Sequence, residues 1–463
     1  MEKHIFKSRV KAKASEVIQT GQVLTAVTKI SSFSNVSRKD AENSAYKKAK
    51  QIAKINLQNQ VNFINKVIDK TKMQKIEMTT KPYFMMAGTS PFTSTTNPQF
   101  NGYTPSQLRT AYNVPSVSTT GSARKVTITI IIAFHYPGLQ KNFDTFCKSN
   151  NLPSSTLKVV SLDPSFNTNP GNPGWAMEEC LDVQWSYAMN PNANIQVVEA
   201  KSTSLIDLLT AVYYANNPPT GSSLQTSDII SMSWGSNEFG TNQQLCDSAF
   251  FSSPSICYLA ATGDANTVSY PAISPNVLSC GGTSLYTNSL NTRQSETTWA
   301  MGGCGYSTVY SRPSYQNNII NQLNRSIPDL SAIANPSTGV RVVYNNQTYI
   351  VGGTSLSTPV IAGMLSIAIQ QRLNAGKSSI TTAYSQPPTI PSQTNVPPPT
   401  NLLQTCLYNN IYGNSNKSVY TSNFYDIPAG GMDGMYSSNV GFDIPTGLGV
   451  PNCTAFASSI LNF

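Results

Sequence analysis

The sequence predicts an α/β protein built on a mostly parallel sheet with helices on both faces. Four apolar runs of strand length lie at 126–133, 195–199, 229–234 and 256–261. Helix-like segments alternate with them at 175–189, 204–216 and 241–252. Strands that are apolar throughout are buried on both sides, and alternation of strands with helices is typical of parallel sheets. With 39% hydrophobic and 11% charged residues, the 463-residue chain can bury a large core.

Charge divides the chain into a basic N-terminal arm and a nearly neutral body. Residues 1–81 contain 17 Lys and Arg against 6 Asp and Glu, whereas the net charge of the whole chain is +9. Within the arm, we expect irregular chain over 1–39, a helix over about 40–76 and a polar linker over 77–101. The body, 102–463, contains a Pro-rich stretch over about 375–400 that we expect to be a surface loop.

The basic arm, 1–81, predicts an anionic partner, either nucleic acid or an acidic surface, and a solvated tail is the alternative. No run approaches the roughly 18 apolar residues that span a bilayer. The first residues lack the apolar core of a secretory signal. None of the eight cysteines form a Cys-x-x-Cys pair, which disfavours zinc, and we expect buried, reduced thiols in a monomeric protein. Location stays open between a virion and an acidic compartment.

Ser355 is the first candidate for chemistry. Gly352-Gly353-Thr354-Ser355 leads into an apolar segment, and we expect Pro359 near the first turn of the helix that follows. A serine at a junction between a loop and a helix lies close to backbone N–H groups and can act as a nucleophile. The pattern equally fits a helix N-cap, so a catalytic role requires a base elsewhere in the chain.

A carboxylate is the better candidate for that base than a histidine. The chain has only two histidines: His4 in the basic arm, and His135 at the end of an apolar run. The sequence also lacks the Asp-[Ser/Thr]-Gly and His-Gly motifs of a histidine-based triad. Glu178 and Asp182 share one helix face at i and i+4, and two close carboxylates tend to share a proton. Such pairs are usually solvated, but apolar neighbours in 175–185 make full solvation unfavourable.

Asp264 is the third candidate because it follows an apolar strand directly. The run Tyr258 to Asp264 ends in Thr-Gly-Asp, and ligands of open α/β sheets gather at the carboxyl ends of strands. An Asx-turn residue is the alternative interpretation.

Together these segments resemble the sedolisin (serine-carboxyl) peptidases, which include kumamolisins and tripeptidyl peptidases. The resemblance covers residues 103–452 and rests on eight motifs in family order. They are YTPSQLRTAYN (103–113), LDVQ (181–184), SMSWG (231–235), YPAISP (270–275), GGT (281–283), PDLS (328–331), GTS (353–355) and DIPTGLGVPN (443–452). The family implies a subtilisin-like three-layer fold with a mostly parallel seven-stranded sheet and helices on both faces.

The resemblance also implies roles for the candidates and a reaction on polypeptide substrates. Ser355 matches the nucleophile, Glu178 the general base, Asp182 the carboxylate that tunes it, and Asp264 the oxyanion residue. An aspartate can stabilise an oxyanion only as a neutral acid that donates its O–H, so we expect activity at acidic pH, as an endopeptidase or a tripeptidyl-peptidase.

One calcium ion is the cofactor that the resemblance implies. Side chains of Asp426 and Asp443 match the family's ligands, with main-chain oxygens of Ile427, Asn439 and Gly441. Asn439 stands where the family commonly has glycine, but only its carbonyl is required. A cluster of turn residues without metal is the alternative.

Two other functions remain as alternatives. One is a catalytically inactive homologue with a binding or structural role in a particle, and the other is a histidine-based subtilisin-like peptidase. The full set of Ser355, Glu178, Asp182 and Asp264 disfavours the first, and the missing Asp and His motifs disfavour the second. Residues 1–101 lie outside the resemblance, as a basic arm or a reduced form of the family's prosegment.

Overall fold

A computed structural model describes residues 6–17, 23–34, 78–87, 101–121, 123–163, 171–219, 221–384, 402–432 and 435–463. The helix predicted over about 40–76 lies outside these residues, as do residues 385–400 of the Pro-rich stretch. The described part of that stretch ends inside the protein rather than on the surface, because Ile380, Ala383 and Tyr384 are buried.

The strands and helices are numbered in chain order. The strands are β1 (Phe6–Val17), β2 (Val23–Ser34), β3 (Lys81–Pro82), β4 (Met85–Met86), β5 (Thr127–Ala133), β6 (Lys158–Ser161), β7 (Asn194–Ala200), β8 (Ile229–Met232), β9 (Trp234–Gly235), β10 (Cys257–Ala261), β11 (Leu278–Thr287), β12 (Arg293–Thr298), β13 (Gly305–Ser311), β14 (Asn324–Ile327), β15 (Leu330–Ile333), β16 (Val340–Tyr344), β17 (Gln347–Gly352), β18 (Phe424–Tyr425), β19 (Gly431–Met432), β20 (Tyr436–Ser437) and β21 (Val450–Pro451). The α-helices are α1 (Pro105–Ala111), α2 (Leu139–Ser149), α3 (Pro173–Met189), α4 (Leu205–Asn216), α5 (Asn242–Phe250), α6 (Thr354–Asn374), α7 (Leu403–Thr405), α8 (Lys417–Asn423) and α9 (Cys453–Asn462). A π-helix, Cys406–Tyr412, follows α7.

An eight-stranded sheet forms the centre of the body. Seven strands are parallel, in the order β6-β7-β5-β8-β10-β11-β15, and β12 adds to β11 in the antiparallel direction. Strand β5 is buried along its whole length, as expected for a parallel strand covered on both faces. The predicted parallel α/β class is therefore confirmed, with one antiparallel strand more than the seven expected.

Helices cover both faces of the sheet. Helices α3 and α6 pack against each other on one face, and α9 packs against α6. Helix α4 lies against β5 and β7 on the other face, beside α5. Because the carboxyl end of β8 and the first turn of α6 both approach α3, residues from distant parts of the sequence meet at one edge of the sheet.

The N-terminal arm contains a β-hairpin where irregular chain was expected. Strands β1 and β2 pair in the antiparallel direction, from Phe6 opposite Ser34 to Val17 opposite Val23. Lysine and arginine occupy every second position from Lys7 to Lys13, which is a strand period. The irregular assignment was wrong because net charge was given more weight than this alternation.

All eight cysteines are buried free thiols, as expected for reduced cysteines. Among the described residues, none of the helices is both long enough and apolar enough to cross a membrane.

Candidate active site

Helix α3 carries three carboxylates into the protein interior. Glu178, Glu179 and Asp182 are all buried, as is every residue from Trp175 to Met189. Asn172 begins the helix by accepting hydrogen bonds from two backbone N–H groups of its first turn. The structure therefore removes the predicted pair, Glu178 and Asp182, from solvent completely.

Ser355 lies in the first turn of α6. This helix begins at Thr354, after Gly353 with φ +104°, and Pro359 is its sixth residue, so the expectation of Pro359 near the first turn was wrong. Pro359 has no N–H, which leaves the Ser355 carbonyl without its usual donor four residues along the helix. The Ser233 Oγ lies 3.3 Å from that carbonyl oxygen, a longer contact than the 2.6 Å hydrogen bond in which the same hydroxyl donates its one proton to Asp182 Oδ1.

Hydroxyl groups connect the nucleophile to the carboxylates. The Ser355 hydroxyl donates to the Ser233 carbonyl at 3.0 Å, and the Ser233 hydroxyl donates to Asp182 Oδ1 at 2.6 Å. Ser233 was quoted above only as part of a family motif, without a role. Its place between β8 and β9, at the carboxyl end of a sheet strand, was the available signal.

Glu178 has no hydrogen-bond partner for either carboxylate oxygen. Burial raises its pKa well above the ordinary value, and the nearby Asp182 carboxylate raises it further. The Ser355 hydroxyl is close enough to lower the pKa of Glu178 in part. Glu178 is thus a buried carboxyl group next to the candidate nucleophile, with both oxygens available to accept a proton.

Asp264 follows β10, as predicted, and points toward the start of α6. Its Oδ1 accepts hydrogen bonds from the Thr354 backbone N–H at 2.9 Å and from the Thr354 hydroxyl at 2.8 Å. Its Oδ2 is buried without a partner. Burial raises the pKa of Asp264 to about 7, although both bonds from Thr354 oppose the rise. At acidic pH, Oδ2 therefore carries a proton that it can donate.

His135 lies at the carboxyl end of β5 and contacts a different carboxylate. Its Nδ1 lies 2.7 Å from Glu199 Oε2, at the end of β7. Glu199 in turn lies close to Glu179, and burial followed by this neighbouring charge raises the pKa of Glu179. The described contacts of His135 support its assignment as a strand-end residue.

A residue that the sequence did not single out lies directly on the nucleophile. The Tyr83 backbone N–H donates to Ser355 Oγ at 2.9 Å, and the Ser355 N–H donates to the Tyr83 carbonyl at 2.9 Å. Tyr83 belongs to the segment described above as a linker. Its sequence signal is the run Lys81 to Met86, which has an aromatic and apolar core inside an otherwise polar stretch.

The residues predicted to hold calcium lie together near the C-terminus. The Gly441 N–H donates to both oxygens of Asp426, at 3.1 and 3.0 Å, and the Asn439 N–H donates to Asp443 Oδ2 at 3.0 Å. Burial raises the pKa of Asp443 to about 6, and the Asp426 carboxylate contributes. Buried Ile427 follows Asp426 directly.

The donor chemistry of this cluster suits calcium. Asp426 and Asp443 are close enough for the charge of Asp426 to raise the pKa of Asp443, and carboxylate oxygens are hard donors of the kind that Ca²⁺ prefers. Within the described ranges, no group of three or more His, Cys, Asp or Glu side chains is placed to hold a metal ion. The predicted set differs from such a group because it has only two carboxylates.

Comparison with known proteins identifies the family to which this chain belongs. A family model described as the subtilase family matches residues 173–418, which include all four candidate catalytic residues. Kumamolisin from Bacillus sp. (strain MN-32) is 29% identical over 322 residues, covering 62% of this chain and 56% of that protein. Sedolisin from Pseudomonas sp. (strain 101) is 35% identical over 142 residues, covering 28% of this chain and 24% of that protein.

Tripeptidyl-peptidase 1 from Rattus norvegicus is 26% identical over 416 residues, covering 78% of this chain and 65% of that protein. The chain thus matches less than two thirds of the length of each of these relatives. A solved structure of Pseudomonas sedolisin, complexed with two molecules of pseudo-iodotyrostatin, shares the fold with a TM-score of 0.60 at 21% identity. That match covers 77% of this chain and 97% of the other. The chain therefore belongs to the subtilase family and is similar to its sedolisin-type members in sequence and in fold.

Proposed function

We propose that the protein is a serine-carboxyl peptidase that hydrolyses peptide bonds of polypeptides at acidic pH. The observation that supports this most is the position of Ser355, which lies close to Glu178 and directly follows Thr354, the residue that donates two hydrogen bonds to Asp264. Carboxyl groups with strongly shifted pKa values cluster at functional sites, and burial raises the pKa of Glu178, Asp182 and Asp264.

In the proposed reaction, the Ser355 hydroxyl attacks the peptide carbonyl carbon and Glu178 accepts its proton. The oxyanion is stabilised by the Ser355 backbone N–H and by the protonated Oδ2 of Asp264. Glu178 then returns the proton to the leaving amine, and water hydrolyses the acyl-enzyme. Asp182 accepts a hydrogen bond from the Ser233 hydroxyl. Its charge raises the pKa of the neighbouring Glu178, which makes Glu178 a stronger base for that proton.

The proposed pH dependence follows from Asp264. Its pKa is raised to about 7, so the donating, neutral form predominates below that pH. As pH rises through about 7, Asp264 ionises and cannot donate to an oxyanion. We therefore expect peptidase activity to fall across neutrality as Asp264 ionises, and to fall again in stronger acid as Glu178 becomes protonated and can no longer accept a proton.

A pH–rate profile on an unfolded protein substrate tests the proposal. We expect cleavage at acidic pH that is abolished in Ser355→Ala, because no other hydroxyl occupies its place. Glu178→Gln should lose nearly as much cleavage activity, since the glutamine amide cannot accept the proton of the Ser355 hydroxyl. No cleavage at any pH would favour the inactive homologue, and a neutral optimum would favour a histidine-based peptidase.

We also propose that calcium binds at Asp426 and Asp443, with the carbonyl oxygens of Ile427, Asn439 and Gly441. A cation would offset the repulsion between the two carboxylates, so its contribution is to the stability of the C-terminal region. Saturation at 100 times Kd would stabilise the folded protein by about 2.7 kcal/mol.

Thermal unfolding of the protein treated with a chelator measures this contribution. We expect Tm to rise on addition of calcium, and the rise to disappear in Asp443→Asn. Magnesium at equal concentration is the matched control, because it requires near-octahedral geometry and gives up its water reluctantly. An identical Tm with and without calcium would contradict the site. The anionic partner of residues 1–81 and the monomeric state stay predictions.

A further inference from the structure

The chain next to the nucleophile forms a short wall, residues 234–236 with Tyr270, here called the β9 wall. The backbone N–H and carbonyl of Ser236 exchange hydrogen bonds with those of Tyr270, at 2.9 and 2.8 Å. A methyl group on Gly235 would lie 2.9 Å from the Tyr270 carbonyl oxygen, so the two segments are in close contact. Strand β9 also pairs with the extended strand β3. A polypeptide substrate in an extended conformation can pair with β9 in the same way.

A buried carboxyl group of α5 holds the Tyr270 side chain from behind this wall. The Tyr270 hydroxyl donates to Asp247 Oδ1 at 3.2 Å, and the Tyr310 hydroxyl of β13 donates to Asp247 Oδ2 at 2.6 Å. All three side chains are buried. The Tyr270 ring also packs edge-on against Phe239, with ring centroids 5.1 Å apart. Asp247 therefore joins the β9 wall to β13 through two phenol groups.

A second carboxyl group fastens the same stretch of chain to β13. Glu238 follows the β9 wall by two residues, and its Oε1 accepts the Ser307 hydroxyl at 2.6 Å. Its Oε2 accepts both the Thr308 backbone N–H and the Thr308 hydroxyl, at 2.8 Å each. Residues 238–247 are thus tied to β13 at both ends by side-chain carboxyl groups. Strand β13 therefore supports the β9 wall from the side away from β3.

The surroundings of Asp247 keep it a neutral acid at acidic pH. Burial raises its pKa to about 7. Three hydroxyl groups oppose the rise, those of Tyr310, Ser274 and Tyr270. Within the described part of the chain, no cation acts on this carboxyl group, and Cys246 and Glu238 are further titratable groups that act on the phenols. A neutral carboxyl group resembles an asparagine amide in size and in its capacity for hydrogen bonds.

We propose that Asp247 is a positioning residue for substrate binding, which holds the β9 wall in place through Tyr270 and is itself held by Tyr310. The proposal rests on the proposed peptidase function and adds residues that act on substrate binding through the wall. The hydrogen bonds of Asp247 join it to the wall and to β13 rather than to the reacting groups. Loss of these bonds should therefore weaken the binding of substrate and transition state equally, which raises KM and leaves kcat unchanged.

Steady-state kinetics at one acidic pH test the proposal, with a quenched fluorescent peptide that spans a site cut by the parent in a denatured protein. We expect Asp247→Ala to raise KM about tenfold at unchanged kcat, because two buried hydroxyl groups lose their acceptor. Asp247→Asn should restore KM, since the amide oxygen accepts from one phenol and the amide N–H₂ donates to the other. Asp144→Ala, the same change as Asp247→Ala at an exposed aspartate, is the matched control and should behave like the parent.

Tyr310→Phe removes a single hydroxyl group and provides an independent test of the same contact. We expect it to raise KM, and to add little to the effect of Asp247→Ala, because both changes act through one hydrogen bond. A parent-like KM in both single variants would overturn this inference and leave the peptidase function standing. A fall of kcat and Tm without rescue by Asp247→Asn would show a role in folding alone and overturn it equally. Absence of cleavage by the parent at any pH would overturn the peptidase function and this inference with it.

Discussion

Asp264 is the residue whose protonation decides the proposed chemistry, and an amide can replace it selectively. In Asp264→Asn the Oδ1 can still accept from the Thr354 N–H and hydroxyl, while the amide N–H₂ takes the place of the protonated Oδ2. The amide is neutral at every pH. We expect the variant to retain activity above pH 7, where the parent loses it, and the pH–rate profile measures the difference.

Asp264→Ala is the control for this substitution, because it removes the donor and the acceptor together. We expect kcat to fall by about 10²–10³ at all pH values, the usual cost of one oxyanion donor. If the asparagine variant kept the parent's decline near pH 7, a group other than Asp264 would be responsible for it.

At the scale of elements, the close packing of α3 on α6 brings base and nucleophile together. A methyl group on Gly363 of α6 would lie 2.4 Å from Met189 Cβ and 2.7 Å from the Ser186 carbonyl oxygen of α3. Gly363→Ala should therefore push the helices apart, cost about 1–3 kcal/mol of unfolding free energy and lower kcat. Urea unfolding and turnover measure the two effects.

Gln371→Ala, a change on the same helix at a partly exposed residue, should leave both quantities near the parent values. A Gly363→Ala variant with unchanged kcat would show that the Glu178–Ser355 spacing tolerates movement of the helices.

The elements that the sequence predicted well are those with continuous apolar character. Strands β5, β7 and β10, and helices α3 and α4, lie within one or two residues of the predicted bounds, because complete burial leaves a strong signal in composition. Strands β3 and β4 have two residues each and pair with residues about 150 to 270 positions away. Local pattern carries no information about such pairing, so the segment across the active site was interpreted as a linker.

At the scale of the whole molecule, a buried ion pair joins the sheet to the C-terminal region. Arg325 Nη2 lies 2.6 Å from Asp329 Oδ2, and both side chains are fully buried. Asp329 also accepts from the Ser279 hydroxyl of β11 and from the Tyr408 hydroxyl of the π-helix. Arg325→Met should cost about 3–5 kcal/mol, because it leaves a carboxylate buried without its cation.

Urea unfolding measures this cost, with Lys125→Met as the control at an exposed cation. The double variant Arg325→Met with Asp329→Asn should recover part of the loss, since the uncompensated charge is then removed. Equal stabilities of the single and double variants would show that lost packing, rather than the charge, sets the cost.

The composition of the candidate site was predictable to the extent that chemistry restricts residue types. With two histidines in the chain, Ser355 required another base, and the apolar neighbours of Glu178 and Asp182 indicated burial. Ser233, Thr354 and Tyr83 could not be found in this way, because they contribute hydrogen bonds that only the folded backbone makes possible.

The eight buried thiols make cysteine labelling a measure of local unfolding. Burial raises the pKa of Cys147, Cys304, Cys406 and Cys453 to about 12, so the reactive thiolate is scarce in the native state. An alkylating reagent can therefore add mass only to copies that have unfolded around a cysteine. The order in which the eight positions acquire label would map which layer of the protein separates first.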